Sequence, residues 1–294
     1  MNCNNSVSDR MPAIHDKLIP LFRRDVEKIK GLQRNINEGA KSDIISPENV
    51  LRAHYFIVDY FYETGEDKVF MAGIKDEKIF LSSLDRAYVE FDGIKKWKNI
   101  YERTATVFFG IIKNHPFHDA NKRTAFLSAI SMLYENKIVI TDKYIKEFED
   151  LAVNIASNRI MRYRSYKNKY RKMDDGEIYF ISKWIKKRSR KIDKRYYAIT
   201  YRQLDSKLSR FGFRLCSPRK NYIHVCDKNG NKLCEIGFPS WGVQVGKKAI
   251  RTILAATGLK ADYGYDAASF FKGEDPYAYV INKYKKNFES LKYR

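Results

Sequence analysis

The segment that most constrains the fold is residues 121–135, which follows the short polar loop HPFHDA. Within it, TAFLSAISMLY at 124–134 would be apolar on nearly every side of a helix. A helix of this kind belongs in the middle of a bundle, because no side of it is suited to water. We therefore predict a helical bundle built around this segment.

Helical spacing of apolar residues predicts further helices on both sides of the central one. They cover about 13–38, 46–62, 76–89, 93–114, 142–158 and 174–190. The second has a clear start, since Ser46 can cap it and Pro47 fits its first turn. A short extended stretch is predicted near 68–75. No apolar run approaches the ~20 residues that a membrane span needs.

The pattern changes at about residue 197. Two further helices are predicted, at 200–211 and 246–257, and they enclose two extended runs. The runs flank Asn229-Gly230, the strongest short signal for a β-hairpin. This order predicts a small α+β domain. The predicted fold class is therefore mainly α, a helical bundle followed by a small α+β C-terminal domain.

The domain organisation predicted from these patterns has five parts. They are an N-terminal helical extension 1–44, the main helical domain 45–165, a basic helical linker 166–196, the small α+β domain 197–262 and a C-terminal tail helix 263–294.

The chain is strongly basic, with a formal net charge of +21. Residues 159–195 hold 15 Lys and Arg against 4 Asp and Glu, so the excess is concentrated there. Such a segment favours a nucleic acid or another polyanion as partner. A solvated helix face remains the alternative interpretation. Within this basic segment, Lys and Arg alternate with Tyr in RYRSYKNKYRK at 162–172. In such a pattern the cations can contact phosphates while the aromatic rings stack on bases.

The four cysteines contain no CxxC pair, so we expect neither a disulfide framework nor a zinc site. The first residues, MNCNNSVSD, lack the basic and apolar regions of a secretory signal. The expected location is the reducing cytoplasm.

The loop at 115–124, HPFHDANKRT, carries the chemistry that the sequence can assign. It precedes the start of the central helix, where backbone N–H groups and the helix dipole favour an anion such as phosphate. Lys122 and Arg123 add two cations, and Asp119 could hold Mg²⁺ shared with a nucleotide. His115 is suited to act as a general base for a hydroxyl. A structural role as helix caps and solvated charges is the alternative.

The same string resembles the signature of the Fic/Doc (Fido) family, H-x-F-x-[D/E/N]-[A/G]-N-[G/K]-R. Ala120 and Lys122 are similar to the death-on-curing (Doc) branch, whereas Pro116 is a feature of the Fic branch. The resemblance extends upstream to ISPENVLRAH at 45–54 and GIKDEKIFLSSLDRA at 73–87, and covers about residues 45–160.

This resemblance implies a Fido helical bundle with a short flap near 68–75. It implies that His115 takes the proton of a Ser, Thr or Tyr hydroxyl, with Arg123 also in the catalytic set. Phe117 would anchor the loop and Asp119 would position Mg²⁺. The residues implied to bind the phosphates of ATP are Ala120, Asn121, Lys122 and Arg123.

Doc toxins phosphorylate elongation factor Tu, whereas most Fic relatives transfer AMP. Lys122 favours phosphate transfer, and Fic-type protein adenylyltransfer (AMPylation) is the alternative. A separate antitoxin is the partner that the Doc resemblance implies. The inhibitory helix of many Fic proteins fits poorly here, since Glu38-Gly39 matches its end but Arg34 occupies its Ser or Thr position.

Residues 199–262 weakly resemble HicA-type toxins, which act on RNA and have a fold similar to double-stranded-RNA-binding domains. Their essential His stands at the start of the first strand, whereas His224 lies further along it. We therefore expect binding of RNA or the ribosome through 159–262, without cleavage.

The predicted function is a Doc-like phosphotransferase. A nucleic-acid-binding module with a non-catalytic Fido scaffold is the second alternative. His54 is expected to be a packed or capping residue.

Overall fold

The computed structural model describes residues 16–30, 45–63, 72–193, 195–259, 267, 270 and 271. Four predicted features lie wholly or partly outside these residues. They are both ends of the helix 13–38, the segment around Glu38-Gly39, the first half of the flap at 68–75 and most of the tail helix 263–294. The described chain divides into two units between Lys191 and Ile192. Among the described residues, no helix combines the length and apolar composition needed to cross a membrane.

The first unit consists mainly of α-helices in its described part. They are α1 (Ile19–Lys30), α2 (Pro47–Glu63), α3 (Glu77–Asp85), α4 (Ile100–Asn114), α5 (Asn121–Glu135), α6 (Ile145–Ala156), α7 (Arg164–Lys169) and α8 (Gly176–Arg188). Short 3-10 turns follow α3 and precede α6 and α7, at Arg86–Tyr88, Asp142–Tyr144 and Ile160–Arg162. The prediction of a mainly helical fold is confirmed.

Helix α5 lies at the centre of this unit, as its composition predicted. It packs against α2, α4 and α6. From Asn121 to Tyr134, every residue except Lys122 is buried. The start of α2 is also as predicted, because Ser46 Oγ accepts the backbone N–H of Asn49 at 3.1 Å.

A β-hairpin replaces the first turns of the helix predicted at 93–114. It consists of β1 (Glu90–Phe91) and β2 (Ile94–Lys95) in antiparallel pairing. The turn between them is Asp92-Gly93, and both residues have positive φ, 47° and 75°. Asp-Gly is a preferred hairpin turn, which explains why the helix begins later, at Ile100.

A second short pair of β-strands follows α8, so the helix predicted at 174–190 ends earlier, at Arg188. β3 (Ile138–Ile140) pairs antiparallel with β4 (Ser189–Lys191). Because the partners are far apart in the chain, no local pattern indicates this pairing. Helix α7 was not predicted either, since its residues show little besides alternating basic and aromatic side chains.

The second unit has the order α9 (Tyr201–Ser209), β5 (Arg214–Arg219), β6 (Tyr222–Cys226), β7 (Lys232–Gly237) and α10 (Lys247–Ala256). The three strands form one antiparallel sheet in the order β5–β6–β7. Its core contains Tyr201, Leu204, Leu208, Leu215, Ile223, Val225, Ile236, Ile250 and Ile253, together with Phe270 and Phe271 from the predicted tail. The hairpin around Asn229-Gly230 is present, whereas β5 was not predicted.

A disulfide joins Cys216 of β5 to Cys226 of β6. Their Cα atoms are 6.3 Å apart, within the range that a disulfide spans. We expected no disulfide framework, and the sequence did not indicate this single pair. The two residues become neighbours only through strand pairing, in which Cys216 lies opposite His224 and Cys226 opposite Arg214.

Candidate active site

The HPFHDA loop connects the C-terminus of α4 to the N-terminus of α5. Left-handed backbone conformations occur at both of its ends, with φ of 49° at His115 and 60° at Ala120. His115, His118 and Asp119 are exposed, whereas Phe117 and Ala120 are buried. The loop therefore presents two imidazoles and a carboxylate to solvent while its middle is held in the core.

Asn121 closes the loop from its C-terminal side. Its Oδ1 accepts the backbone N–H of Phe117 at 3.0 Å, and its Nδ2 donates to the Phe117 carbonyl at 2.9 Å. The side chain is buried, so these bonds are shielded from water. The amide of Asn121 is thus engaged in holding the loop, a role that the sequence analysis did not anticipate. Its backbone N–H remains available at the helix start.

Residues 73–76 pair with the loop along its other side. The N–H groups of Lys75 and Asp76 donate to the Pro116 carbonyl at 2.8 and 3.4 Å, and the His118 N–H donates to Gly73 O at 3.2 Å. These residues end the segment that was predicted as a flap. The end of the flap segment and the motif loop are therefore fixed to each other by backbone hydrogen bonds.

Phe117 is the buried centre of this arrangement, with an exposed fraction of 1%. Its ring stacks on His54 of α2, with centroids 4.1 Å apart, and meets Phe80 of α3 edge-on at 5.3 Å. Two helices besides α4 and α5 therefore fix the position of the loop.

His54 is fully buried, as the sequence analysis expected for a packed residue, and it bridges two segments of the site. Its Nε2 accepts the N–H of Gly73 at 3.0 Å, and its Nδ1 lies 3.1 Å from Thr124 Oγ1 on α5. Because Nε2 accepts, the proton of the neutral ring must be on Nδ1, which donates to Thr124. Burial, aided by the charges of Arg123 and His118, lowers the pKa of His54 to about 3.

Asp25 of α1 is a second buried residue that sequence reasoning missed. Its Oδ2 accepts the Tyr55 hydroxyl at 2.8 Å and the Ile74 N–H at 3.0 Å. A Cβ at Gly73, where φ is +100°, would lie 2.5 Å from the same oxygen. Helix α1 therefore belongs to the support of the site, and Gly73 is required by both backbone conformation and space.

The charges around the loop favour a neutral His115. Partial burial lowers the pKa of its imidazole, and the positive charges of Lys113, Lys75 and Lys122 lower it further. Burial likewise lowers the pKa of Arg123 to about 10, so the guanidinium stays charged at neutral pH. A neutral imidazole can accept a proton, and the charged guanidinium can stabilise an anion.

The N-terminus of α5 can bind an anion. Its N-cap, Ala120, has no side chain that could cap the helix, and the first N–H groups of a helix have no intrahelical partner. Lys122 is half-buried and Arg123 is 4% exposed at this end. A phosphate group placed here would meet backbone donors, the helix dipole and two cations.

Asp119 is the residue of the loop that could hold a metal ion. Its side chain is 55% exposed, and its Oδ1 lies 3.9 Å from Arg123 Nη2. Among the described residues, no group of three or more His, Cys, Asp or Glu side chains could hold a metal together. One exposed carboxylate fits Mg²⁺ that takes its other ligands from nucleotide phosphates and water.

Comparison with curated proteins found no match. Comparison with protein families found one that covers the site just described. Residues 8–133 match the Fic/DOC family, less than half of the chain. The match begins before α1 and ends within α5, so it includes part of the segment that we assigned to an N-terminal extension. Over residues 8–133, this chain is therefore similar to the Fic/DOC family.

Proposed function

We propose that this Fic/DOC domain transfers the γ-phosphate of ATP to a Ser, Thr or Tyr hydroxyl of another protein. Proteins of this family typically move a nucleotide or phosphate to a protein hydroxyl. The proposal rests mainly on the HPFHDA loop, whose two ends have fixed positions and present different chemical groups. One end exposes an imidazole whose pKa is lowered, and the other is the uncapped N-terminus of α5.

The residues of the loop divide the chemistry between them. The N–H groups at the start of α5, with Lys122 and Arg123, bind the phosphates of ATP and stabilise the charge that develops during transfer. Asp119 would hold Mg²⁺, which would neutralise phosphate charge when bound. Phe117 and the Asn121 side chain keep the loop in place.

The proton transfer is assigned to His115. Its neutral imidazole takes the hydroxyl proton of the target while the hydroxyl oxygen forms a bond to the γ-phosphorus. The bond between the γ-phosphorus and the oxygen bridging it to the β-phosphate breaks, and ADP leaves. The imidazolium then returns its proton to solvent.

Transfer of AMP by the same site is the alternative. The two reactions require opposite orientations of ATP, with either the γ-phosphate or the α-phosphate next to the target hydroxyl. Lys122 favours phosphate transfer, since the resemblance to the Doc branch implies that this lysine turns the γ-phosphate toward the target hydroxyl. Its position in the first turn of α5, beside Arg123, supports a contact with phosphate oxygens.

The same resemblance supports the rest of the proposed setting. We propose a toxin that acts on a translation factor such as elongation factor Tu and is held inactive by a separate antitoxin.

For the second unit we propose binding of RNA without cleavage. His224 lies within β6, and its Nε2 is 3.0 Å from Glu235 Oε2 of β7. The buried residues of β6 on either side, Ile223 and Val225, belong to the core, so His224 is on the opposite face. His224 lies in the middle of β6, not at the start of the strand, where the HicA-type resemblance places the essential histidine, and this position is the basis for proposing binding without cleavage.

Intact-mass spectrometry tests the transfer. Purified translation factors are incubated with ATP, Mg²⁺ and the wild-type protein, the His115→Ala variant or the His118→Ala control. We expect a gain of about 80 Da, one phosphate, with wild type and control but not with His115→Ala. A gain of about 329 Da would establish AMP transfer instead. RNA binding without any mass gain would support the non-catalytic scaffold.

A further inference from the structure

The chain has an uninterrupted cationic segment at 159–172, from the end of α6 through α7. It contains seven Lys and Arg and no Asp or Glu. All seven side chains are exposed. Within the described chain, none of the seven forms an ion pair, although acidic residues neutralise other cations of this unit, such as Arg188 by Glu147. The charge of the segment is therefore available to a ligand.

The tyrosines that alternate with these cations are not on the surface with them. Tyr166 and Tyr170 are 5% and 8% exposed, and Tyr163 is half-buried. All three surround Phe180 of α8, with ring centroids 5.2 to 6.0 Å away. The expectation that these aromatic side chains would stack on bases is therefore wrong. They fix α7 to α8, and the exposed residues of the segment are the seven cations together with Met161, Ser165 and Asn168.

Because the cations are exposed and the aromatic side chains are not, the segment is better suited to some partners than to others. The partners to compare are a protein, a single strand bound by base stacking and a phosphate backbone. Protein interfaces have an apolar or aromatic centre from which charged residues are depleted. Single-strand binding by stacking needs exposed rings. A surface on which cations predominate and no aromatic ring is exposed is suited to phosphate groups, whose oxygens accept from Arg and Lys whatever the base.

Two of the arginines share a cavity at the start of the segment. Arg159 and Arg162 line it together with Asp150, Val153 and Asn154 of α6, and its volume is about 390 Å³. Asn158, next to Arg159, also accepts a hydrogen bond from Lys113 of α4, two residues before His115. The segment thus begins in a recess against α6, and it continues along α7.

We infer that the segment 159–172 binds the phosphodiester backbone of a nucleic acid without reading its bases. This function is separate from phosphate transfer and does not depend on His115. It assigns nucleic-acid binding to the first unit, in addition to the binding proposed for the second.

Fluorescence anisotropy of the full chain with labelled oligonucleotides tests this inference. The ligands are single-stranded RNAs of two unrelated sequences and the DNA of one of them, each titrated over a range of salt concentrations. The variant combines Arg164→Gln, Lys167→Gln, Lys169→Gln and Arg171→Gln. Its matched control combines Lys78→Gln, Lys95→Gln, Lys98→Gln and Lys137→Gln, which remove the same charge from exposed positions elsewhere in the first unit.

We expect both RNA sequences to bind equally and the affinity to fall steeply with salt. The variant is expected to bind at least about tenfold more weakly, and its slope of log affinity against log salt to be shallower by about 3. The control is expected to stay within about twofold of wild type. Equal binding of DNA would identify any phosphodiester strand as the ligand, and tighter binding of RNA would identify RNA.

Three results would overturn the inference. One is an equal loss in variant and control, which would trace binding to net charge alone. Another is a strong preference for one of the two sequences. The third is competition by polyglutamate as effective as that by RNA, which would identify an acidic protein as the partner. A second variant, Arg171→Gln with Lys172→Gln outside α7, repeats the test without substituting the helix and is expected to give about half the change in slope.

Discussion

The imidazole of His54 lies flat against the ring of Phe117, with centroids 4.1 Å apart and 11° between the planes. One ring belongs to α2 and the other to the motif loop, and both are buried. Since His54 also binds Gly73 and Thr124, a single side chain connects the loop with the segment before α3 and with α5. The geometry of the candidate site depends on that contact.

Stability at acidic pH is expected to depend on His54. The unfolded chain protonates this residue near its ordinary value of 6.5, whereas the folded chain does so only at about 3. The folded state therefore loses stability as pH falls from 6.5 toward 3, by up to ~1.4 kcal/mol per pH unit. His54→Gln removes this contribution. Urea unfolding at several pH values, compared with His118→Gln, measures it, and parallel curves for wild type and His54→Gln would contradict the prediction.

Comparing Gly73→Ala with Gly93→Ala separates the cost of backbone strain from the cost of a steric clash. Both have positive φ, but a Cβ at Gly73 would collide with Asp25 and Tyr55, whereas one at Gly93 would meet nothing within 4 Å. Gly93→Ala is expected to cost about 1 kcal/mol, and Gly73→Ala about 2–4 kcal/mol with loss of transfer activity. Thermal unfolding of the two variants provides the comparison. Equal costs would show that the approach of Asp25 to Gly73 does not matter.

Asn121→Ala is expected to destabilise the loop. It leaves the buried N–H and carbonyl of Phe117 without the partners that Asn121 supplies, at a cost of about 2–4 kcal/mol. Asn121→Asp retains an acceptor for the N–H and is expected to cost less. Lys122→Ala, on the same turn, is expected to change stability little while reducing transfer. If Asn121→Ala reduced transfer at unchanged melting temperature, its side chain would instead be binding phosphate.

The pH profile of transfer is expected to respond to Lys75. Because its charge lowers the pKa of His115, Lys75→Gln should raise that pKa. The base must be neutral, so the acidic limb of the profile moves to higher pH, by a few tenths of a unit for an exposed and screened charge. Lys78→Gln, which alters another exposed lysine nearby in the chain, is the control. An unmoved limb would argue against His115 as the titrating base.

The sequence predicted those parts of the site that are determined by residues close together in the chain. The loop 115–120 and helix α5 were placed correctly, because composition and spacing within about twenty residues define both. The position of His54 opposite Thr124 depends on how α2 packs against α5. The position of Asp25 beside Gly73 depends on α1, and no spacing within the chain reveals either contact.

Two further errors have specific physical causes. The Asp92-Gly93 turn lies where the predicted helix 93–114 was taken to begin, so β2 was read as the first turn of that helix. The alternation of cations with Tyr163, Tyr166 and Tyr170 was read as a binding surface. Burial of these rings around Phe180 shows that the same alternation can place cations outside and aromatic side chains inside.

The central claim is that His115 is the base for transfer of the γ-phosphate. The most direct measurement incubates the protein and its target with ATP radiolabelled on either the γ- or the α-phosphate, using wild type, His115→Ala and His118→Ala. We expect label on the target from γ-labelled ATP only, with wild type and His118→Ala but not with His115→Ala. Label from α-labelled ATP, or undiminished labelling by folded His115→Ala, would contradict it.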